Sequence, residues 1–178
     1  SSLAIEHDLM VITDEVYEHL IFDGREHVSM AGLPGMRERT LTISSGGKTF
    51  NTTGWKSGWI CGPRELLRAG MTEKLFLTFV IGAPFQPAIA AGLRLGDDYF
   101  NQLAAGLADT RDRLGAGLRA AGFNVFPSEA TYFTTVDITP LRPDGDGVAF
   151  CTELPHKIGV VASPNQVFYV NPEHGRNL

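Results

Sequence analysis

The chain has 178 residues, of which 43% are hydrophobic and 20% are charged, a balance typical of globular proteins and too apolar for a disordered one. The 15 Lys and Arg residues against 20 Asp and Glu residues give a net charge of −5, which offers no basic surface to nucleic acid or to an anionic membrane. No apolar run reaches the roughly 20 residues of a membrane-spanning helix. The two cysteines, Cys61 and Cys151, form neither a disulfide framework nor a metal-binding pair, so we expect a reducing compartment.

The first half of the chain alternates short strands with helices. We predict strands at 9–12, 40–44 and 57–61, each a short run that stops at polar or small residues. A proline then precedes a predicted helix at 65–80, and an alanine-rich helix follows at 84–95.

The pattern of predicted elements changes near Gly96, and we predict a domain boundary there. Beyond it, periodic leucines predict a long helix at 97–121, which ends at Gly122. The alternation of strands and helices indicates α/β architecture. The remaining predicted elements are strands at 123–126 and 132–136, a loop at 139–147, a short helix at 148–154 and a strand at 159–162.

Both ends of the sequence fall close to predicted elements. The chain lacks an initiator Met and opens in a helix end that runs into the first strand. It closes in a turn at 174–178. We therefore expect a piece of a longer protein.

Polar side chains cluster where the first three predicted strands begin or end. Asp14 and Tyr17 follow the first strand, Ser45 and Lys48 follow the second, and Lys56 precedes the third. Ligands of open α/β sheets bind outside the carboxyl ends of the strands. Either these side chains form a site at this edge, or each is a solvated loop residue.

The sequence Gly47-Lys48-Thr49 after a strand invites comparison with the phosphate-binding loop of nucleotide hydrolases. That loop requires a glycine five residues before Gly47, where this chain has Thr42. Without this glycine the backbone cannot curl its N–H groups around the phosphates. The nucleotide-hydrolase interpretation is therefore disfavoured.

Three segments together are far more specific than any one: DEVYEHLIFDG from Asp14, SGGKTF from Ser45, and GWKSGW around Lys56. In this order they resemble the pyridoxal-phosphate-dependent aminotransferases of fold type I. Within that family the chain is most similar to the succinyl-diaminopimelate aminotransferases and to the kynurenine/glutamine transaminases. The resemblance extends over essentially the whole chain. It implies that 1–96 is the later part of the large, mixed-sheet cofactor-binding domain and 97–178 the beginning of the α+β small domain.

The resemblance also implies a role for each of these side chains toward pyridoxal 5′-phosphate. Lys48 would bind the cofactor covalently and then, once released, move a proton at the substrate carbon. Asp14 would pair with the pyridine nitrogen, and Tyr17 would hydrogen-bond the phenolate oxygen. Ser45 and Lys56 would hold the phosphate, with Lys56 standing where many relatives have arginine.

Other parts of such a site are missing from this sequence. The family's phosphate loop, its ring-stacking aromatic and an asparagine all lie upstream of the segment that this chain resembles. The arginine that binds the substrate carboxylate lies further along, and Arg176 is not assigned to that role. We therefore expect this piece alone to be inactive, and its parent to be a cytoplasmic homodimer with shared active sites.

The reaction implied is ping-pong transamination between an amino acid and a 2-oxo acid. We favour N-succinyl-diaminopimelate with 2-oxoglutarate, in lysine biosynthesis. The alternatives are a kynurenine- or glutamine-type transaminase with β-lyase activity and a non-catalytic regulatory module. No metal ligand is expected among the histidines. Glu15 is expected to face away from Asp14, and Arg111 to be a surface charge.

Overall fold

The computed structural model describes residues 1–178, which form two compact units, Ser1–Gly106 and Leu107–Leu178. The elements of the first unit, in chain order, are α1 (Ser2–Glu6), β1 (Val11–Asp14), β2 (Thr40–Ser45), α2 (Gly46–Thr49), β3 (Gly58–Cys61), α3 (Arg64–Leu77) and α4 (Gln86–Gly92). Helix α5 (Asp97–Ala120) contains the division between the units. The elements of the second unit are β4 (Asn124–Val125), β5 (Val136–Asp137) and α6 (Gly147–Ile158).

A mixed three-stranded sheet organises the first unit. Its order is β1-β2-β3, with β1 parallel to β2 and β2 antiparallel to β3. Asp14 at the end of β1 lies opposite Ile43, and Ser45 at the end of β2 lies opposite Gly58 at the start of β3. The residues that follow β1, follow β2 and precede β3 therefore meet at one edge of the sheet.

The segment between β1 and β2 folds back against the sheet through apolar side chains. Leu20, Phe22 and Met36 are buried, and so is Thr40 at the start of β2. Burial of side chains of this size stabilises a fold by roughly 1.5–3 kcal/mol each. This anchoring holds the far end of the turn at 16–19, which leaves the end of β1.

The second unit pairs β4 with β5 in antiparallel fashion. Helix α6 begins where the Asp146 carboxylate accepts a hydrogen bond from the Ala149 N–H (2.9 Å) and ends at Gly159, whose φ of 72° is the left-handed conformation that favours glycine. Phe123 packs edge-on against Phe150 of this helix, with ring centres 6.1 Å apart.

The predicted strand at 159–162 is wrong. Residues 160–163 have no ladder partner, and Val161 is 82% exposed. A short apolar run forms a strand only where another strand runs beside it, and this chain provides none there. The predicted strands at 123–126 and 132–136 shorten to two residues each, because Ser128 instead bonds the carbonyls of Ala130 and Phe133 and bends the segment between them.

Helix α6 is longer than the predicted helix at 148–154, since it continues through Pro155 to Ile158. The remaining predicted helices and strands of the first unit are present within a few residues of their expected bounds. None of the helices combines the length and the apolar character needed to cross a membrane.

Candidate functional site

Lys48 lies on a single helical turn that directly follows β2. The Ser45 hydroxyl, at the start of this turn, accepts a hydrogen bond from the Gly47 N–H at 3.3 Å. Gly46 contacts α4 so closely that an added Cβ would lie 2.3 Å from Cδ1 of Ile89. A side chain at this position would displace Ile89, so the turn favours glycine here.

Hydrogen bonds from the following loop hold the backbone of this turn. The hydroxyls of Thr52 and Thr53 donate to the carbonyls of Gly46 and Gly47, each at 3.0 Å. The Tyr99 hydroxyl donates to the carbonyl of Thr49 at 3.2 Å. The main chain on both sides of Lys48 is thus fixed while its side chain is half-buried.

Tyr17 is brought to Lys48 from the turn that follows β1. The Lys48 ammonium lies 5.8 Å from the centre of the Tyr17 ring, within the distance at which a cation interacts with an aromatic face. The two residues meet because β1 and β2 are parallel neighbours and end at the same edge.

Asp14 is the last residue of β1, and its side chain is exposed at this edge. One carboxylate oxygen accepts a hydrogen bond from the Val16 N–H at 3.2 Å. The strand register places Asp14 beside Ile43, two positions before Ser45. Asp14 therefore shares the sheet edge with Tyr17 and Lys48.

The neighbouring Glu15 has a separate structural role. Its carboxylate accepts hydrogen bonds from the Thr13 hydroxyl (2.8 Å), His27 (2.8 Å) and the Met30 N–H (3.1 Å). Burial raises the pKa of this carboxyl, but the hydrogen bonds from His27 and from Thr13, Ser29 and Met30 outweigh burial and lower it. Glu15 fastens the segment around Met30 to the end of β1.

Lys56 precedes β3 and is exposed. Its backbone is left-handed, with φ 51° and ψ 41°, which is uncommon for a residue with a side chain. The next residue, Ser57, accepts a hydrogen bond through its carbonyl from the Gly46 N–H (3.2 Å). This contact ties the Lys56 segment to the start of the turn that carries Lys48.

Sequence reasoning missed two contacts that support these residues. The Ser44 hydroxyl donates to both carboxylate oxygens of Glu18, at 2.7 and 3.0 Å. The rings of His19 and Phe100 stack with centres 4.3 Å apart. Each pair joins residues far apart in sequence, so local spacing contains no signal for either.

The expectation that Arg111 is a surface charge is wrong. Its side chain is only 16% exposed, and its guanidinium donates to the carbonyl of Ser128 at 2.8 Å. Arg111 braces the segment between β4 and β5. This contact is with a backbone carbonyl outside helix α5, so the pattern of residues within the helix does not predict it.

Comparison with known sequences gives a match over nearly the whole chain. The family model of aminotransferases of class I and II matches residues 1–177. A probable N-succinyldiaminopimelate aminotransferase of Mycobacterium tuberculosis is 50% identical over 168 residues, which cover 94% of this chain and 42% of that protein. Human kynurenine–oxoglutarate transaminase 1 is 35% identical over an alignment of 189 positions, gaps included, which covers 97% of this chain and 45% of that protein. The chain thus spans less than half the length of these relatives.

Solved structures match equally well. The N-succinyldiaminopimelate aminotransferase of M. tuberculosis superposes with a TM-score of 0.94 at 47% identity, over 99% of this chain and 46% of that one. YbdL of Escherichia coli, described as having a methionine aminotransferase function, superposes with a TM-score of 0.89 at 34% identity, over 98% of this chain and 46% of that one. These matches confirm the predicted fold class, an α/β chain of fold type I.

Proposed function

Because the chain belongs to the class I and II aminotransferases, we propose that the protein containing it is a pyridoxal-phosphate-dependent transaminase that moves an amino group from an amino acid to a 2-oxo acid. The observation that carries this proposal is the position of Lys48, held on a fixed turn with its ammonium 5.8 Å from the centre of the Tyr17 ring. A reactive amine needs a fixed backbone and a neighbouring hydrogen-bonding group, and this edge of the sheet has both.

The side chains at the sheet edge fit the groups of the cofactor. In the proposed arrangement Lys48 holds the cofactor covalently, the exposed Asp14 carboxylate neutralises its ring nitrogen, and the Tyr17 hydroxyl bonds its phenolate oxygen. Ser45 and Lys56 hold the phosphate. A backbone contact supports the assignment of Ser45 and Lys56 to the phosphate. The Gly46 N–H donates to the Ser57 carbonyl and so holds the Lys56 segment beside the turn that begins at Ser45.

When bound, the cofactor supplies an acceptor for the electrons left behind when the substrate Cα–H bond breaks. The amine of Lys48 would move a proton between the substrate Cα and C4′ of the cofactor in each half-reaction, in opposite directions in the two halves. The nearby Tyr17 ring limits the positions that this amine adopts. Asp14 keeps a proton on the ring nitrogen because a carboxylate stabilises a neighbouring positive charge.

For the substrates, we propose N-succinyl-diaminopimelate as amino donor and 2-oxoglutarate as acceptor. The support is the higher identity to the M. tuberculosis relative, 50%, than to the human kynurenine transaminase, 35%. A kynurenine- or glutamine-type transaminase with β-lyase activity is the second candidate. The presence of Lys48, Asp14 and Tyr17 together disfavours a non-catalytic module.

We further propose that the whole protein is a cytoplasmic homodimer with shared active sites. The proposed domains remain 1–96 for the later part of the cofactor-binding domain and 97–178 for the start of the small domain. Limited proteolysis of the full-length protein, followed by mass spectrometry of the products, would locate the boundary. Sedimentation of the purified protein would give the subunit number.

The central test uses full-length protein loaded with pyridoxal 5′-phosphate. Borohydride is expected to bleach the visible band and leave a reduced adduct that peptide mapping places on Lys48. Lys48→Ala should bind no cofactor covalently, whereas Lys74→Ala, on the exposed face of α3, should behave as wild type. An adduct on any other lysine refutes the site assignment. A panel of amino donors then distinguishes the two transaminase candidates.

A further inference from the structure

A second contact joins the same two segments that Tyr17 and Lys48 join. Glu18 follows Tyr17 in the turn after β1, and Ser44 is the penultimate residue of β2. The Ser44 hydroxyl donates to Glu18 Oε1 at 2.7 Å and to Oε2 at 3.0 Å. The hydroxyl proton is therefore shared between both oxygens of one carboxylate.

The surroundings make this contact strong. Ser44 is only 4% exposed, and Glu18 is half-buried. A hydrogen bond from a hydroxyl to a carboxylate is shorter and stronger than one between neutral groups. Loss of the carboxylate would leave the buried Ser44 hydroxyl without its acceptor, which is more damaging than the loss of an exposed contact.

The contact is placed to set the distance between Tyr17 and Lys48. The parallel pairing of β1 and β2 extends only to the bond from the Glu15 N–H to the Ile43 carbonyl (2.8 Å). Beyond that bond the chain leaves β1 and forms a turn. The hydrogen bonds within the turn join residues three positions apart: the Glu18 N–H donates to the Glu15 carbonyl, and the Leu20 N–H donates to the Tyr17 carbonyl. Local bonds shape the turn but do not fix its position relative to β2.

We propose that Glu18 and Ser44 are positioning residues, which lock the turn of Tyr17 onto the end of β2 and thereby hold the Tyr17 hydroxyl in register with Lys48. This inference rests on the proposed function, because Tyr17 matters to the reaction only if the cofactor is bound at Lys48. The buried Leu20 holds the far end of the same turn. Glu18 and Ser44 thus attach the part of the turn next to Tyr17 to the end of β2.

The test measures the visible absorption band of full-length protein loaded with pyridoxal 5′-phosphate as a function of pH. Tyr17→Phe is the reference variant, since it removes the hydroxyl itself. Ser44→Ala and Glu18→Ala are expected to move the midpoint of the spectral titration in the same direction as Tyr17→Phe, by a smaller amount. We expect kcat to fall about threefold to tenfold with little change in KM, which is less than the full free energy of a hydrogen bond to a charged group because the contact acts on the reaction only through Tyr17.

Two further variants separate positioning from general stability. Glu18→Gln retains an oxygen that accepts from Ser44, so it should restore most of the wild-type midpoint. Thr139→Ala removes a comparable hydroxyl-to-carboxylate bond, to Asp137 in the second unit, and should leave the midpoint unchanged. If Ser44→Ala unfolds too readily to titrate, Glu18→Ala removes the same contact from the turn side.

Each outcome has a distinct meaning. Wild-type midpoints in Ser44→Ala and Glu18→Ala, with Tyr17→Phe shifted, overturn the positioning role while the proposed function stands. An unshifted Tyr17→Phe variant overturns the role of Tyr17 and this inference with it, while Lys48 and the proposed function stand. A wild-type protein that stays colourless with the cofactor overturns the proposed function and this inference together.

Discussion

The ammonium of Lys48 lies 5.8 Å from the centre of the Tyr17 ring, although the two residues belong to separate segments that leave neighbouring parallel strands. Each segment has its own anchor. Buried Leu20 and the Glu18–Ser44 contact hold the turn of Tyr17, and hydroxyls from the following loop hold the turn of Lys48. A site assembled from two anchored turns is sensitive both to loss of its reactive groups and to loss of its anchors.

The first prediction concerns the reactive amine. Lys48→Arg in the full-length protein keeps a positive charge near Tyr17 but removes an amine that accepts and returns protons. We expect transaminase kcat to fall by at least about a hundredfold, since general acid–base catalysis contributes roughly 10²–10⁴. Single-turnover kinetics with amino donor would measure it, and activity within a factor of a few of wild type would contradict the role of Lys48.

The second prediction concerns the close approach of Gly46 to α4. Gly46→Ala places a methyl group 2.3 Å from Cδ1 of Ile89, so we expect a loss of about 1–3 kcal/mol in the free energy of unfolding. Gly117→Ala is the control, because no atom lies near that position in α5; it should stabilise slightly. Denaturant unfolding of both variants compares the two. If the clash is the cause, Gly46→Ala should cost less when it is added to Ile89→Ala than when it is added to wild type.

The third prediction concerns acid stability. Since the hydrogen bonds around Glu15 hold its pKa below the ordinary value of 4.5, the folded state favours the ionised carboxylate. This contribution is fully present above the unfolded-state pKa and disappears as the pH falls through the lower, folded-state pKa. As the pH falls from 6 to the acid limit of folding, the Tm of wild type should therefore decrease by more than the Tm of Glu15→Gln. If the Tm of the two proteins decreases equally as the pH falls, the prediction is wrong.

The fourth prediction separates charge from backbone strain at Lys56. Lys56→Gly suits the left-handed backbone (φ 51°) but removes the cation, so we expect a more stable fold that releases the cofactor about 10- to 100-fold more readily, the range for a hydrogen bond to a charged group. Lys56→Arg should retain the cofactor at least as well as wild type. Dialysis followed by absorbance measures retention. Equal retention by all three proteins would remove Lys56 from the phosphate site.

Patterns that span only a few residues determine many of the strands and helices of this protein. The strands around Thr42 and Ile60, the long α5 and the fold class all follow from local periodicity and from motifs such as SGGKTF, and the structure and comparisons confirm them. The proposed roles of Asp14, Tyr17, Ser45, Lys48 and Lys56 also come from the motifs, and they remain to be tested.

Contacts between distant segments could not be predicted in this way. The Ser44–Glu18 bond joins residues 26 positions apart, the half-buried Arg111 donates to a carbonyl beyond its own helix, and residues 160–163 lack the neighbour that would make them a strand. Sequence alone determined which chemical groups the chain has and which short elements carry them, because propensity and periodicity act locally. Only the tertiary structure decided which of those groups meet, because pairing depends on strand register and on the burial of side chains from remote parts of the chain.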